Sequence, residues 1–375
     1  MRVPFVDLAA QEASVSEEVL AAVAAVARSA EFVLGARVEA FETWLAQACG
    51  VSHAVGVASG TDAIELALRA LAIGPGDAVV TPAFSFIAAA EAIAATGARP
   101  VFCDVDVVTM NANGRTMEHA IERARRAGLR VRALVPVHLF GLLAPMEELT
   151  ALARREGIAV IEDAAQAIGA RDTSGRPAGA AGNAACFSFF PTKNIGAWGD
   201  GGAVVTSDAN IAARVRRLRA HGATSPFVHA ELGRNSRLDA LQAAVLLAKA
   251  RHLDAWQGER ARLAKRYLRE LARFPLALPT HPGPPGAHAW HAFVVRVPDR
   301  RDGLAAWLRE HQIETRVYYP VPLHRQASFR ALEEPELAVA EERCRSALAL
   351  PMSTTLTDEH QGWVIEQVGR FFERG

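Results

Sequence analysis

Between residues 53 and 206, short apolar runs alternate with stretches of helical periodicity, and this pattern restricts the possible folds more than any other feature of the chain. The runs at 53–57, 78–81, 100–103, 131–137, 158–161, 185–189 and 203–206 read as strands. Segments 62–72, 85–96, 115–127 and 146–156 read as the helices between them. Strands that are apolar on both faces and separated by helices need a sheet with helices on both sides, and most of its strands parallel. The pattern therefore predicts an α/β fold with a mainly parallel seven-stranded sheet. Two helices precede it, at 14–30 with Ser16 as a cap and at 35–49 with Gly50 as its stop.

The pattern changes after about residue 208. Residues 238–272 read as one long, charge-rich helix bridging two domains. A loop with Pro275, Pro279, Pro282, Pro284 and Pro285 follows, then a strand at 291–297, a helix at 301–311 and a strand at 314–319. Helices at 336–348 and 357–374 close the chain. The expected division is a large domain at 1–245 and a smaller α+β domain at 246–375, joined by the long helix.

The 375 residues carry 41 basic and 41 acidic side chains, so the formal net charge is zero. That balance lacks the basic footprint of a nucleic-acid binder. Cys49, Cys103, Cys186 and Cys344 are far apart and read as reduced core thiols rather than metal ligands or a disulfide frame. The N-terminal residues lack the apolar run of a signal peptide, and no segment reaches the roughly 18 uncharged apolar residues that span a bilayer. The expectation is a soluble cytoplasmic protein with neither a membrane nor a nucleic-acid partner.

Only three of the 41 basic residues are lysines, at 193, 249 and 265. Lys193 ends the stretch Cys186-Phe187-Ser188-Phe189-Phe190-Pro191-Thr192-Lys193 and precedes Gly196, Gly199, Gly201 and Gly202. An arginine can replace an exposed lysine, but only a lysine can shed its proton and attack a carbonyl. The alternative is a lysine that snorkels from a strand end. Other strand ends carry complementary chemistry. Ser59-Gly60-Thr61-Asp62 opens a helix, where free N–H groups suit a phosphate, or where Thr61 or Asp62 simply caps. Phe84 and Phe86 follow the next strand and either stack on a planar ring or fill the core. Asp163, in Glu162-Asp163-Ala164-Ala165-Gln166, either holds a proton on a heterocyclic nitrogen or caps a helix. A phosphate cradle, a ring stacker, an acid and an amine are together the parts needed to hold pyridoxal 5′-phosphate.

These motifs resemble those of the DegT/DnrJ/EryC1/StrS sugar aminotransferases, within the fold-type I pyridoxal-phosphate enzymes. The resemblance extends to Pro4-Phe5-Val6-Asp7-Leu8, Val137-His138-Leu139-Phe140-Gly141, Gly233-Arg234-Asn235-Ser236-Arg237-Leu238-Asp239 and Tyr318-Tyr319-Pro320-Val321-Pro322-Leu323-His324. It implies that Lys193 bonds covalently to the cofactor's aldehyde and that Asp163 faces the pyridine nitrogen. Gln166 would sit beside the ring and Phe86 would stack on it. Gly60, Thr61 and Ser188 would hold the phosphate, and Asn235 would reach the phosphate of a neighbouring subunit. Arg237, Tyr318, Tyr319 and His324 would line the site for a sugar nucleotide. The implied protein is a homodimer with shared active sites, moving an amino group from L-glutamate to a keto sugar nucleotide.

Three positions depart from the family's usual residues. Leu142 stands where many relatives have glutamine, and Ala220 where asparagine is common. Gly199-Asp200-Gly201-Gly202 replaces the Gly-Glu-Gly-Gly of many enzymes that aminate C4. The aspartate form resembles the branch that aminates C3 of a dTDP-linked 3-keto-6-deoxyhexose. The alternatives are a C4 aminotransferase, an aminocyclitol or amino-shikimate-type enzyme, and a non-catalytic regulatory protein. The related sugar dehydratases carry histidine at the lysine position, which Lys193 argues against.

Overall fold

The computed structural model describes residues 1–280 and 286–374. The seven apolar runs form one sheet. Its strands are β1 (His53–Val57), β2 (Asp77–Pro82), β3 (Arg99–Cys103), β4 (Arg130–Leu134), β5 (Ala159–Asp163), β6 (Ala184–Ser188) and β7 (Gly202–Thr206). Their order is β1-β7-β6-β5-β4-β2-β3. Only β7 runs against its neighbours, pairing antiparallel with β1 and β6. Every residue of β2 and β7 is buried, as a sheet covered on both faces requires.

The helices before and among these strands are α1 (Leu8–Ala13), α2 (Ser16–Ser29), α3 (Ala36–Ala48), α4 (Gly60–Ala70), α5 (Ala88–Ala95), α6 (Gly114–Arg126), α7 (Met146–Glu156) and α8 (Ala209–Leu218). The pleat sends alternate strand residues to opposite cores. Val204 of β7 and Cys186 of β6 share a core with Ile64 and Leu68 of α4 and Val215 of α8. Ala203 and Val205 face the other way, with Phe187 of β6 and Phe41 and Leu45 of α3. Ser16 is not a cap, because Val15 occupies that position and makes no side-chain capping bond.

A short hairpin, β8 (Ala223–Ser225) and β9 (Val228–His229), follows α8. The expected bridging helix is two helices, α9 (Ala240–Ala250) and α10 (Leu253–Leu271). The break falls at Arg251 and His252, where the His252 N–H bonds to Lys249 O, three residues back, at 2.9 Å. The remaining elements are β10 (Phe293–Arg296), α11 (Arg301–Glu310), α12 (Ala338–Ser346), β11 (Ala347–Leu350) and α13 (Asp358–Glu373). β10 pairs with β11, and the strand expected at 314–319 does not form. That segment makes only an isolated bridge, Arg316 to Ala349. β11 is buried along its whole length, so residues 347–350 leave the helical path of α12 to pair with β10. A third core joins α10, α11 and α13 to this small sheet, with Tyr267, Phe293, Leu308, Leu348 and Val364. Pro282, Pro284 and Pro285 lie outside the described residues.

Candidate active site

The carboxyl ends of β1, β2, β5 and β6 open onto a cavity of about 420 Å³, a volume suited to a small-molecule cofactor. At its β1 side α4 begins. Ser59, rather than Thr61 or Asp62, is the cap: its Oγ accepts the Asp62 N–H at 3.1 Å. The Ala63 N–H bonds to Ser59 O at 3.0 Å. The N–H groups of Gly60 and Thr61 have no acceptor among the described residues, and both residues line the cavity. A side chain on Gly60 would put Cβ 2.7 Å from Ser188 Cβ. One on Gly202 would meet Ser59 O at 2.2 Å. The two glycines let β6, β7 and the start of α4 converge into a cradle for an anion.

From Ser188, at the end of β6, the chain turns through Lys193 and back into β7. The Ala197 N–H bonds to Phe189 O at 2.8 Å, and a Cβ on Gly196 would lie 2.3 Å from Pro191 O, so this loop closes tightly. Lys193 is half-buried in the cavity wall, and its amine makes no hydrogen bond among the described residues. Burial pushes its pKa down to about 8, although the carboxylate of Asp163 acts in the opposite direction. An amine brought this near neutrality without a partner is an available nucleophile.

β5 ends in two carboxylates with opposite fates, because successive strand residues point to opposite faces. Asp163 faces the cavity. Its Oδ1 accepts the Ala165 N–H at 3.1 Å, while Oδ2 has no hydrogen-bond donor among the described residues. Burial raises its pKa, so it is a carboxyl group in want of a cation. Glu162 faces away and anchors the loop before β6. It accepts the N–H groups of Gly179, Ala181 and Gly182 at 3.0, 2.8 and 2.6 Å, and His138 Nε2 at 2.9 Å. Burial opposes its ionised form, but the His138 bond and the backbone donors outweigh burial and hold its pKa down. His138 Nδ1 accepts the Ala144 N–H at 3.1 Å, so the ring proton sits on Nε2 and points at Glu162.

Gln166, Phe86, Tyr318 and Tyr319 complete the predicted lining. Gln166 Oε1 accepts the Phe140 N–H at 2.6 Å and its amide donates to the Tyr319 hydroxyl at 3.3 Å. Phe86 is 56% exposed at the mouth, whereas Phe84 is core. Asp200 of the Gly-Asp-Gly-Gly stretch also reaches the cavity. His291 does too, and no motif pointed to it. The Asn194 amide donates to Ala289 O at 2.7 Å, which leaves its oxygen to accept from His291 Nδ1 at 3.1 Å. Burial, with the nearby charge of Lys193, holds His291 neutral, so Nε2 is left as an acceptor. The only available signal was a lone histidine beside a strand.

Three of the expected residues are not in this cavity. Asn235 is exposed and Arg237 partly exposed, on the segment leading into α9. His324 is buried in a 3-10 turn, where its Nε2 pairs with Glu341 at 2.9 Å.

The cavity fits pyridoxal phosphate: an anion cradle at α4, an unpaired amine and an unfilled carboxylate face a common space. A model of the DegT/DnrJ/EryC1/StrS aminotransferase family matches residues 13–369. The dTDP-3-amino-3,4,6-trideoxy-α-D-glucose transaminase of Streptomyces venezuelae is 44% identical over 376 residues, covering 100% of this chain and 97% of that protein. A pleiotropic regulatory protein of Geobacillus stearothermophilus is 43% identical, covering 99% of each chain. The crystal structure of S. venezuelae DesV in complex with a ketimine intermediate superposes with a TM-score of 0.94 at 44% identity, over 100% of this chain and 99% of that one.

Proposed function

Since the chain belongs to the DegT/DnrJ/EryC1/StrS aminotransferase family, whose cofactor is pyridoxal 5′-phosphate, we propose that it moves an amino group from L-glutamate to C3 of a keto sugar nucleotide. A dTDP-linked 3-keto-6-deoxyhexose is the substrate that the Streptomyces relative's name supports. One observation carries the reading: the amine of Lys193, unpaired and near neutrality, shares a cavity with Asp163 and the free N–H groups of α4.

When bound, the cofactor supplies an aldehyde that takes up amines and a ring that accepts electrons. Gly60, Thr61 and Ser188 hold its phosphate, and Gln166 and Phe86 flank its ring. Asp163, with one oxygen free, keeps a proton on the ring nitrogen, and the resulting cation offsets the cost of burying the carboxylate. The Lys193 amine would serve as the general acid–base, taking a proton from the donor's α-carbon in one half-reaction and supplying one at the sugar carbon in the other. Tyr318, Tyr319, Arg237 and His324 are assigned to the sugar nucleotide. Only the two tyrosines line this cavity, so Arg237 and His324 would contact parts of the substrate beyond it.

The reading includes a homodimer in which Asn235 serves the neighbouring site. Asn235 is exposed, and Phe227 and Leu232 nearby are 97% and 90% exposed, as surfaces awaiting a second copy are. It also places the protein in the cytoplasm, supported by four free, buried thiols. A large domain at 1–245 and a smaller one at 246–375 remain the proposed division. A regulatory role, suggested by the Geobacillus relative's name, would leave the Lys193 amine without a use. The test is to add L-glutamate to the holoprotein, follow the release of 2-oxoglutarate, and then offer 3-keto and 4-keto sugar nucleotides. Amination at C3 is expected. Amination at C4 alone, or of neither, refutes the assignment.

A further inference from the structure

The Lys193 loop is clamped from behind by a second lysine. Lys249, on α9, is 1% exposed. Its ammonium donates to Gly196 O at 2.8 Å and pairs with the Glu12 carboxylate of α1. Glu12 also accepts the indole N–H of Trp198 at 2.6 Å. Gln242, about two helical turns before Lys249, exchanges two bonds with the Trp198 backbone, at 2.7 and 3.2 Å. The bonds hold two loop residues, Gly196 and Trp198, against α1 and α9, beginning three residues after the reactive amine. Nothing in the chemistry at Lys193 uses these groups directly.

We propose that Lys249 is a positioning residue: by fixing the Gly196 carbonyl it sets where the Lys193 amine stands and how well water is kept from it. The residue type supports this. The chain uses arginine at all but three of its basic positions, yet keeps a lysine here, and Lys265 is the only lysine that is exposed. A compact ammonium can reach a carbonyl and a carboxylate from one buried helix position. A guanidinium carries a longer, planar fork that would meet the same space with excess volume. Gly196 makes the loop intolerant of slack, since any Cβ there would collide with the Pro191 carbonyl. A clamp released at Gly196 thus moves the loop as a unit.

The inference rests on Lys193 as the cofactor-bonding residue. The test compares holoprotein, Lys249→Met and a control, Val245→Ala. Val245 is on the same helix but packs with Val15 and Val19, away from the loop. Three experiments supply the readouts: the urea midpoint, the kcat and KM values of the amino-transfer, and the pH midpoint at which the cofactor-stripped chain recaptures pyridoxal phosphate. For Lys249→Met, kcat falls about tenfold or more while both KM values stay within about twofold, as expected when geometry rather than binding is lost. Its capture midpoint moves upward by about half a unit or more, toward that of a solvated lysine. Val245→Ala lowers the urea midpoint and leaves the capture midpoint where it was. An unshifted midpoint with unchanged kcat in Lys249→Met overturns the inference, as does an equal midpoint shift in both variants. If the unaltered chain captures no cofactor at Lys193, it is the functional reading that fails instead.

Discussion

Replacing Glu162 by glutamine separates the two acids of the Glu-Asp pair on physical grounds. Glu162 is 1% exposed and accepts four hydrogen bonds, from three backbone N–H groups and His138. A glutamine in the same place can accept with its oxygen but presents an NH2 where the second carboxylate oxygen was. If the amide oxygen serves Ala181 and Gly182, the NH2 faces Gly179 and His138, both donors. Turned over, it faces Ala181 and Gly182. His138 cannot switch tautomer to help, because its Nδ1 is occupied by the Ala144 N–H. Two buried donors are therefore orphaned in either orientation. Each lost bond to a charged acceptor is worth about 1.5–3 kcal/mol, and burying a neutral group instead of a charge returns a share of the total. We expect a net loss of about 3 kcal/mol at pH 7, read as a lower urea midpoint at unchanged m by circular dichroism. The pH dependence has a definite sign. Glu162 has a folded pKa below its ordinary 4.5, so its contribution is present above that value and is lost as pH falls through the folded pKa. The gap between the two proteins should therefore narrow in acid. A Glu162→Gln protein within about 1 kcal/mol of the unaltered one at pH 7 would refute the reasoning, since single bonds of this kind are rarely weaker.

Two further predictions concern the site. Attack on an aldehyde needs the neutral amine, and burial holds Lys193 at about 8. The rate of cofactor capture should therefore climb about tenfold per pH unit below that value and level off above it; a rate that keeps rising to pH 10 would show an unperturbed lysine. Gly202→Ala forces a methyl group to within 2.2 Å of Ser59 O, a backbone atom that cannot swing away. The strain, about 1–3 kcal/mol, falls on the phosphate cradle. Equilibrium dialysis should show weaker cofactor binding by about tenfold or more, and unchanged affinity would mean that the cradle lies elsewhere.

The sheet was legible because each strand is an apolar run bounded by turn residues, and all seven lie within a few residues of their expected places. β11 was not, because Ala347-Leu348-Ala349-Leu350 is made of good helix formers and follows a helix with no glycine or proline between, and only its tertiary partner β10 tells the two states apart. The break between α9 and α10 was equally hidden, since Arg251 and His252 are neither glycine nor proline. In the site, Lys193 and Asp163 stood out by residue type and by position at strand ends. Glu162 and His138 have the same chemistry in the sequence, and only the pleat of β5 turns Glu162 toward a scaffold role. Lys249 looked like one more charge on a long helix until folding placed the Gly196 carbonyl against it. Contacts between residues so far apart in sequence carry no local pattern.

The central claim is a covalent bond between the cofactor's aldehyde and one amine, and chemical trapping tests it most directly. The holoprotein is reduced with borohydride, digested, and the modified peptide located by mass spectrometry. The account predicts a single phosphopyridoxyl group, on Lys193, and none in a Lys193→Ala protein. A label on Lys249 or Lys265, or none on a protein that nevertheless transfers amino groups, would contradict it.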